Sequence, residues 1–141
     1  MRSGNGLASL NRRLKAIPKA AKEAVLPALK RAGEDLAKDM RQLAQRSRDT
    51  GALIESITVT PAGQTTPPYS QPGGEQMVPE NAVVVTAGNS AVRYPHLVEY
   101  GTAKAPAQPF FWPAVRLNRK KLANRIKRAV GKAVRSTRTQ A

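Results

Sequence analysis

Apolar positions along the chain fall into helix-spaced stripes at both ends and a β-like stretch between them. Leu7, Leu10, Leu14 and Ile17 recur every three or four residues, which places them on one face of a helix. Ser3 or Asn5 suits its start, and Pro18 ends it and opens the next element. A second stripe runs through Ala21, Val25, Ala28, Leu29, Ala32, Leu36, Met40 and Leu43, with Lys and Arg between. Pro27 inside that stripe predicts a kink or a later helix start, and Ala28 and Ala32 allow another element to pack closely. The helix is expected to stop near Ser47.

Beyond Thr50 and Gly51 the pattern changes. Leu53, Ile54, Ile57 and Val59 interleave with Ser56, Thr58 and Thr60, which predicts a strand with one wet face. Residues 61–80 carry five prolines and three glycines and predict an extended, mobile loop. The run 82–87, AVVVTA, reads as a second strand followed by a turn at Gly88 and Asn89, so the long loop becomes the hairpin of an antiparallel pair. Pro95 is placed to begin a short helix that Gly101 ends. From Pro113, the apolar positions Ala114, Val115, Leu117, Leu122, Ile126, Ala129, Val130, Ala133 and Val134 mark a last amphipathic helix. The expected fold is α+β: N-terminal helices and a basic C-terminal helix on a small antiparallel sheet with a long Pro/Gly-rich hairpin loop.

With 141 residues, one domain is expected over 1–141. It divides into a helical region at 1–47, a sheet region at 50–114, a basic helix at 114–135 and a frayed tail at 136–141. Apolar residues make up 40% of the chain, enough for a modest core, although aromatics are only 4%. There is no cysteine, which removes disulfides, thiolate metal sites and Cys nucleophiles. No apolar run approaches the roughly 20 residues that cross a bilayer. Asn and Arg interrupt the opening MRSGNGLASLNRRLK where a signal peptide would be apolar, so a cytoplasmic site of synthesis and assembly is expected, with no membrane partner.

Charge adds a second layer. The 24 basic and 9 acidic residues give +15, unevenly spread. Residues 1–50 hold 12 basic and 5 acidic side chains, residues 51–103 hold 1 and 4, and residues 104–141 hold 11 and none. A weakly acidic middle between cationic ends points to a polyanion or to an acidic partner surface.

Catalytic signals are missing. His96 is the sole histidine, so it can form no zinc cluster, and no nucleophile is patterned beside it. Asp35 and Asp39 lie one helical turn apart but lack further carboxylates and read as a solvated face. The glycine pairs fit no phosphate-binding motif. No cofactor or metal is expected, and an enzyme would need His96 and an acid hydrogen-bonded in one pocket.

Three segments then take on meaning together: 50–57, TGALIESI; 94–102, YPHLVEYGT; and 106–114, PAQPFFWPA. In this order they resemble the neck or tail-component (tail-completion, head–tail joining) family of long-tailed bacteriophages. The signature positions are Thr50, Gly51, Leu53, Ser56, Glu99, Gly101, Thr102, Pro109 and Pro113. Pro95 stands where that family often has Ala, and loop 61–80 is longer than many members carry. The resemblance implies a non-enzymatic virion protein at the neck. Its copies would form a ring, six by family expectation, that joins the tail tube or terminator protein to a head-side connector or stopper protein. The genome DNA would pass through the middle.

The physical reading of the motifs is compatible with this. Glu99 is expected to point at backbone amides or at a neighbouring subunit, and Ser56 to hydrogen-bond a neighbouring loop. Tyr94, Leu97, Val98 and Tyr100 are expected to bury one side of their turn. Phe110, Phe111 and Trp112 cannot all face one small core, so at least one is expected to be exposed and to join Tyr94 and Tyr100 at a subunit interface. Arg116, Arg119, Lys120, Lys121, Arg125, Lys127 and Arg128 are candidates to face either the DNA channel or an acidic ring. Since a channel that passes DNA quickly should not grip it, this reading favours the acidic ring. The alternative is a free basic nucleic-acid-binding protein, against which stands the lack of any helix-turn-helix, zinc-finger or RNA-binding signature.

Overall fold

A computed structural model describes residues 19–45 and 51–140, apart from the side chains of Ala20 and residues 137–140. The expected helix over 7–17 and signature residue Thr50 lie outside the described residues. The elements run α1 (Lys19–Ala44), α2 (Gly51–Ser56), β1 (Thr58–Thr60), β2 (Val84–Thr86), α3 (Pro95–Tyr100) and α4 (Phe111–Gln140). The α+β expectation is met: among the described residues four helices accompany a two-stranded antiparallel sheet, and α1 packs against both strands. Thr58 pairs with Thr86, Val59 with Val85 and Thr60 with Val84.

Helix α1 is continuous through Pro27, so the helix start does not shift to that residue. Pro27 lies on the exposed side. The buried face of α1 carries Ala21, Val25, Leu29, Ala32, Ala37, Met40 and Ala44. These positions repeat the helical period read from the sequence.

Helices α1 and α4 are antiparallel and form the largest packed unit. Asp39 reaches Asn118 and Asp35 reaches Arg125. Further along, Ala21, Val25 and Leu29 cluster with Val130 and Ala133. As residue numbers rise in α1 they fall in α4. The other end of the pair closes on the sheet side, where Met40, Leu53, Ile57, Ala87, Val92, Phe110, Phe111 and Ala114 share one core. At Gly33 the helix comes so close to the strands that an added Cβ would lie 2.8 Å from Val83 Cγ1 and 2.9 Å from Val59 Cγ1.

Three sequence expectations change. Residues 51–56 form a helical turn, and only 58–60 are strand. The reason is visible in the spacing: Leu53 and Ile57 lie four apart and both are buried, while Ile57 N–H donates to Ile54 C=O. Gly51 accordingly opens a helix and takes no positive φ. Second, the Pro/Gly-rich segment folds back on itself. Val78 N–H donates to Gln64 C=O at 2.8 Å and Thr66 N–H to Gln76 C=O at 2.9 Å. Gln71 and Ala87 exchange both backbone hydrogen bonds, and Thr66, Ser70 and Val78 are buried. Third, α4 begins at Phe111 and is helical through Gln140, beyond the predicted boundary at 135. No proline lies between Pro113 and its end to stop it.

Candidate functional site

Geometry concentrates where α3, the loop after it and the start of α4 meet. Pro95 fits the first turn of α3 because its missing N–H has no partner there anyway. Gly101 ends the helix at φ 78°, and its N–H donates to Leu97 C=O at 2.8 Å. The chain then folds directly back: Gln108 N–H donates to Val98 C=O at 2.8 Å. A Cβ on residue 101 would lie 2.7 Å from Ala107 N and 3.1 Å from Ala105 O. Only glycine fits both the φ and the space. Thr102 Oγ1 accepts hydrogen bonds from Lys104 N–H and Ala105 N–H, closing the turn between.

That fold-back delivers Glu99 to the N-terminus of α4. Its Oε1 accepts from Phe110 N–H at 3.0 Å and Phe111 N–H at 2.9 Å, and its Oε2 accepts from Trp112 N–H at 3.3 Å. A helix start leaves four backbone donors without intrahelical partners. Neither Pro109 nor Phe110 has a side chain able to cap, and the first turn of α4 contains no acid. Glu99 supplies both the acceptor and the negative charge from another element, where the helix dipole favours it. The carboxylate is buried. The two signature segments around Glu99 and Pro109 are therefore one structural unit.

The aromatic run divides as predicted, with one ring facing outward. Phe110 is 1% exposed and Phe111 8%, so both belong to this chain's own core. Edge-on contacts link Phe110 to Phe111 and Phe111 to Trp112. Trp112 is 37% exposed, and its Nε1–H donates to Tyr100 Oη at 2.9 Å. Tyr100 is itself 69% exposed, and Leu97, one turn before it on α3, is also exposed. The expectation that Leu97 and Tyr100 would be buried is thus corrected: the sheet-side core is reached by Tyr94 and Val98, while Leu97 and Tyr100 face out. Helix α3 has only six residues, and its inner side is taken up by Pro95, Val98 and Glu99.

A cleft lined by Gln71, Pro72, His96, Glu99, Tyr100 and Trp112, among others, lies beside these rings. His96 is exposed, and among the described residues no hydrogen bond joins it to an acid. Glu99 is committed to the three backbone amides. Among the described residues no group of three or more metal-ligating side chains occurs, and no helix is long and apolar enough to cross a membrane.

The remaining signature residues are structural. Ser56 Oγ donates to Leu53 C=O at 2.6 Å and accepts from Gly88 N–H at 3.0 Å, so it ties α2 to the turn after β2. It does hydrogen-bond a neighbouring loop, but from a helix. Leu53 is fully buried, and Pro109 and Pro113 flank the start of α4 half-buried.

Six of the seven basic candidates on α4 are exposed: Arg116, Arg119, Lys120, Lys121, Lys127 and Arg128. Arg125 differs. It is half-buried and forms an ion pair with Asp35 of α1. That hydrogen bond, with the nearby charges of Arg125, Lys121 and Arg31, holds the Asp35 carboxyl below its ordinary value against a smaller opposing effect of burial. Asp39 accepts from Asn118 Nδ2 at 2.7 Å, and the same amide group donates to Ala114 C=O at 2.8 Å. Asp35 and Asp39 are therefore helix–helix contacts, where the sequence suggested a solvated face. Asn118 was not singled out from the sequence. The available signal was a polar residue amid apolar neighbours on the inward stripe of α4.

Compared with known families, residues 8–101 match the HK97 gp10-like bacteriophage tail-component model. No curated protein and no solved structure matches the chain.

Proposed function

Because the chain belongs to the HK97 gp10-like family of bacteriophage tail components, we propose that it is a neck or tail-completion subunit. In this reading its copies form a ring, of six by family expectation, between the tail tube or terminator protein and the head-side connector or stopper protein. The genome DNA passes through that ring. The protein works by shape and contact, with no catalytic step, and resides at the neck of the virion.

One observation carries the subunit-contact part of this reading. Leu97, Tyr100 and Trp112 form an exposed patch on a rigid base, because Glu99 and Gly101 lock α3 to the start of α4. Aromatic side chains with a polar tip, held in place before contact, suit the centre of a protein interface. Phe110 and Phe111 support the patch from below.

The test is Trp112→Glu, produced in the phage or prophage that encodes the chain. The exposed position predicts a folded subunit with a melting temperature within a few degrees of the parent, but separate heads and tails by electron microscopy. Normal infectious particles from that variant would overturn the contact. A charged residue at Phe111 is not an equivalent test, since it would enter the core and unfold the subunit.

A further inference from the structure

Helix α4 has one side committed to the core and one side given over to cations. Arg116, Lys120 and Lys127 follow an i, i+4, i+11 spacing and form one row along the exposed side. Lys121, Arg128 and Lys132 follow i, i+7, i+11 and form a second row, about 120° further round the helix. Arg119 flanks the first row. The rise of a helix gives each row a length of about 17 Å. Among the described residues none of these seven takes part in an ion pair. No acid occurs anywhere in residues 104–141.

We propose that this face of α4 binds the phosphate backbone of double-stranded DNA without reading its bases. Two other partners fit it less well. Protein interface cores are depleted in lysine and enriched in aromatic residues. From Arg116 onward this face has four lysines among its seven cations, no aromatic ring, and Leu117 as its one large exposed apolar side chain, while the exposed Trp112 lies one turn before it. An anionic membrane would require an amphipathic helix to bury its apolar side in lipid. The apolar side of α4 is already packed against α1 and the sheet through Ala114, Val130 and Ala133.

Duplex DNA presents one charge per about 1.7 Å of axis, dense enough to meet both rows. Contacts of Lys and Arg to phosphates position a protein on the duplex and carry no sequence information, so binding through these seven cations leaves the bases unread. Such contacts are weak and let a protein slide along DNA. A passing genome could therefore be contacted without being held. The inference stands on the charge geometry and does not depend on the ring.

The test uses the full-length protein and a fluorescent 30-base-pair duplex, with anisotropy read across salt concentrations. Binding in the micromolar range is expected at 50 mM salt, weakening steeply as salt rises. The triple variant Arg116→Gln, Lys120→Gln, Lys127→Gln should flatten the log–log salt slope by about 3, since each lost phosphate contact removes about 0.9. A control with the same charge change, Lys19→Gln, Lys30→Gln, Lys104→Gln, should change the slope by less than about 1. Circular dichroism should show both variants folded. The proposal is overturned by no binding at 50 mM salt, by equal effects of the two triple variants, or by a more than tenfold preference among duplex sequences. Intact particles with altered DNA binding, or the reverse, separate this proposal from the assembly reading.

Discussion

Two residues control the α3–α4 junction. Glu99 serves three backbone donors of α4 from a different element. Glu99→Ala leaves those donors buried or half-buried without an acceptor, so a loss of about 2–4 kcal/mol is expected in urea denaturation. Glu99→Asp, one methylene short, should recover only part of it. Gly101 has no substitute with a side chain. Gly101→Ala adds a methyl 2.7 Å from a backbone nitrogen at a φ of 78°, and a loss of at least about 2 kcal/mol is expected. Both positions belong to the signature segment 94–102; Glu99 reads as an acid free to meet backbone amides or a neighbouring subunit, and Gly101 as the stop of a short helix. Which amides Glu99 would cap was not readable, since its partners lie eleven to thirteen residues away across a reversal of the chain.

At the level of elements, the α1–α4 pair holds two polar links within an otherwise apolar seam. The Asp35 carboxyl titrates below its ordinary value in the folded protein because Arg125 bonds its charged form. Its contribution to stability is thus present above the unfolded value of 3.8 and lost as pH falls through the lower folded value. Unfolding midpoints measured from pH 5 down to pH 2.5 should fall less steeply in Asp35→Asn than in the parent. The pair is partly open to solvent, so the difference should be small. The periodicity of α1 and α4 is long and unambiguous, which is why both were legible in the sequence. The segment 51–57 was not, since seven residues with apolar positions at both two- and four-residue spacing satisfy either period. Packing of Leu53 and Ile57 into one core decides for the helix.

Over the whole molecule, the two proposed contact surfaces occupy different places. The exposed rings lie at the start of α4 and on α3, and the cation rows run along the exposed side of α4 from Arg116 onward. Substitutions should separate them. Because Trp112→Glu sets an acid one turn before Arg116, the separating variant is Trp112→Ala, expected to weaken particle joining while leaving the salt slope of DNA binding unchanged, whereas the Gln triple variant of α4 should flatten that slope. A protein carrying +15 also resists close packing of its own copies, so counter-charge from DNA or a neighbouring protein favours any assembled ring.

Composition and periodicity alone established an α+β chain with two long amphipathic helices, a strongly basic C-terminal helix and a turn signal at Pro95 and Gly101, because these features are local and repeat over many residues. Tertiary structure alone decided that Phe110 and Phe111 turn inward while Trp112 turns outward, that Arg125 is spent on Asp35, and that Glu99 starts a helix it does not belong to. Each of these depends on which surface a side chain meets after distant segments have come together, and neither residue type nor spacing encodes that encounter directly.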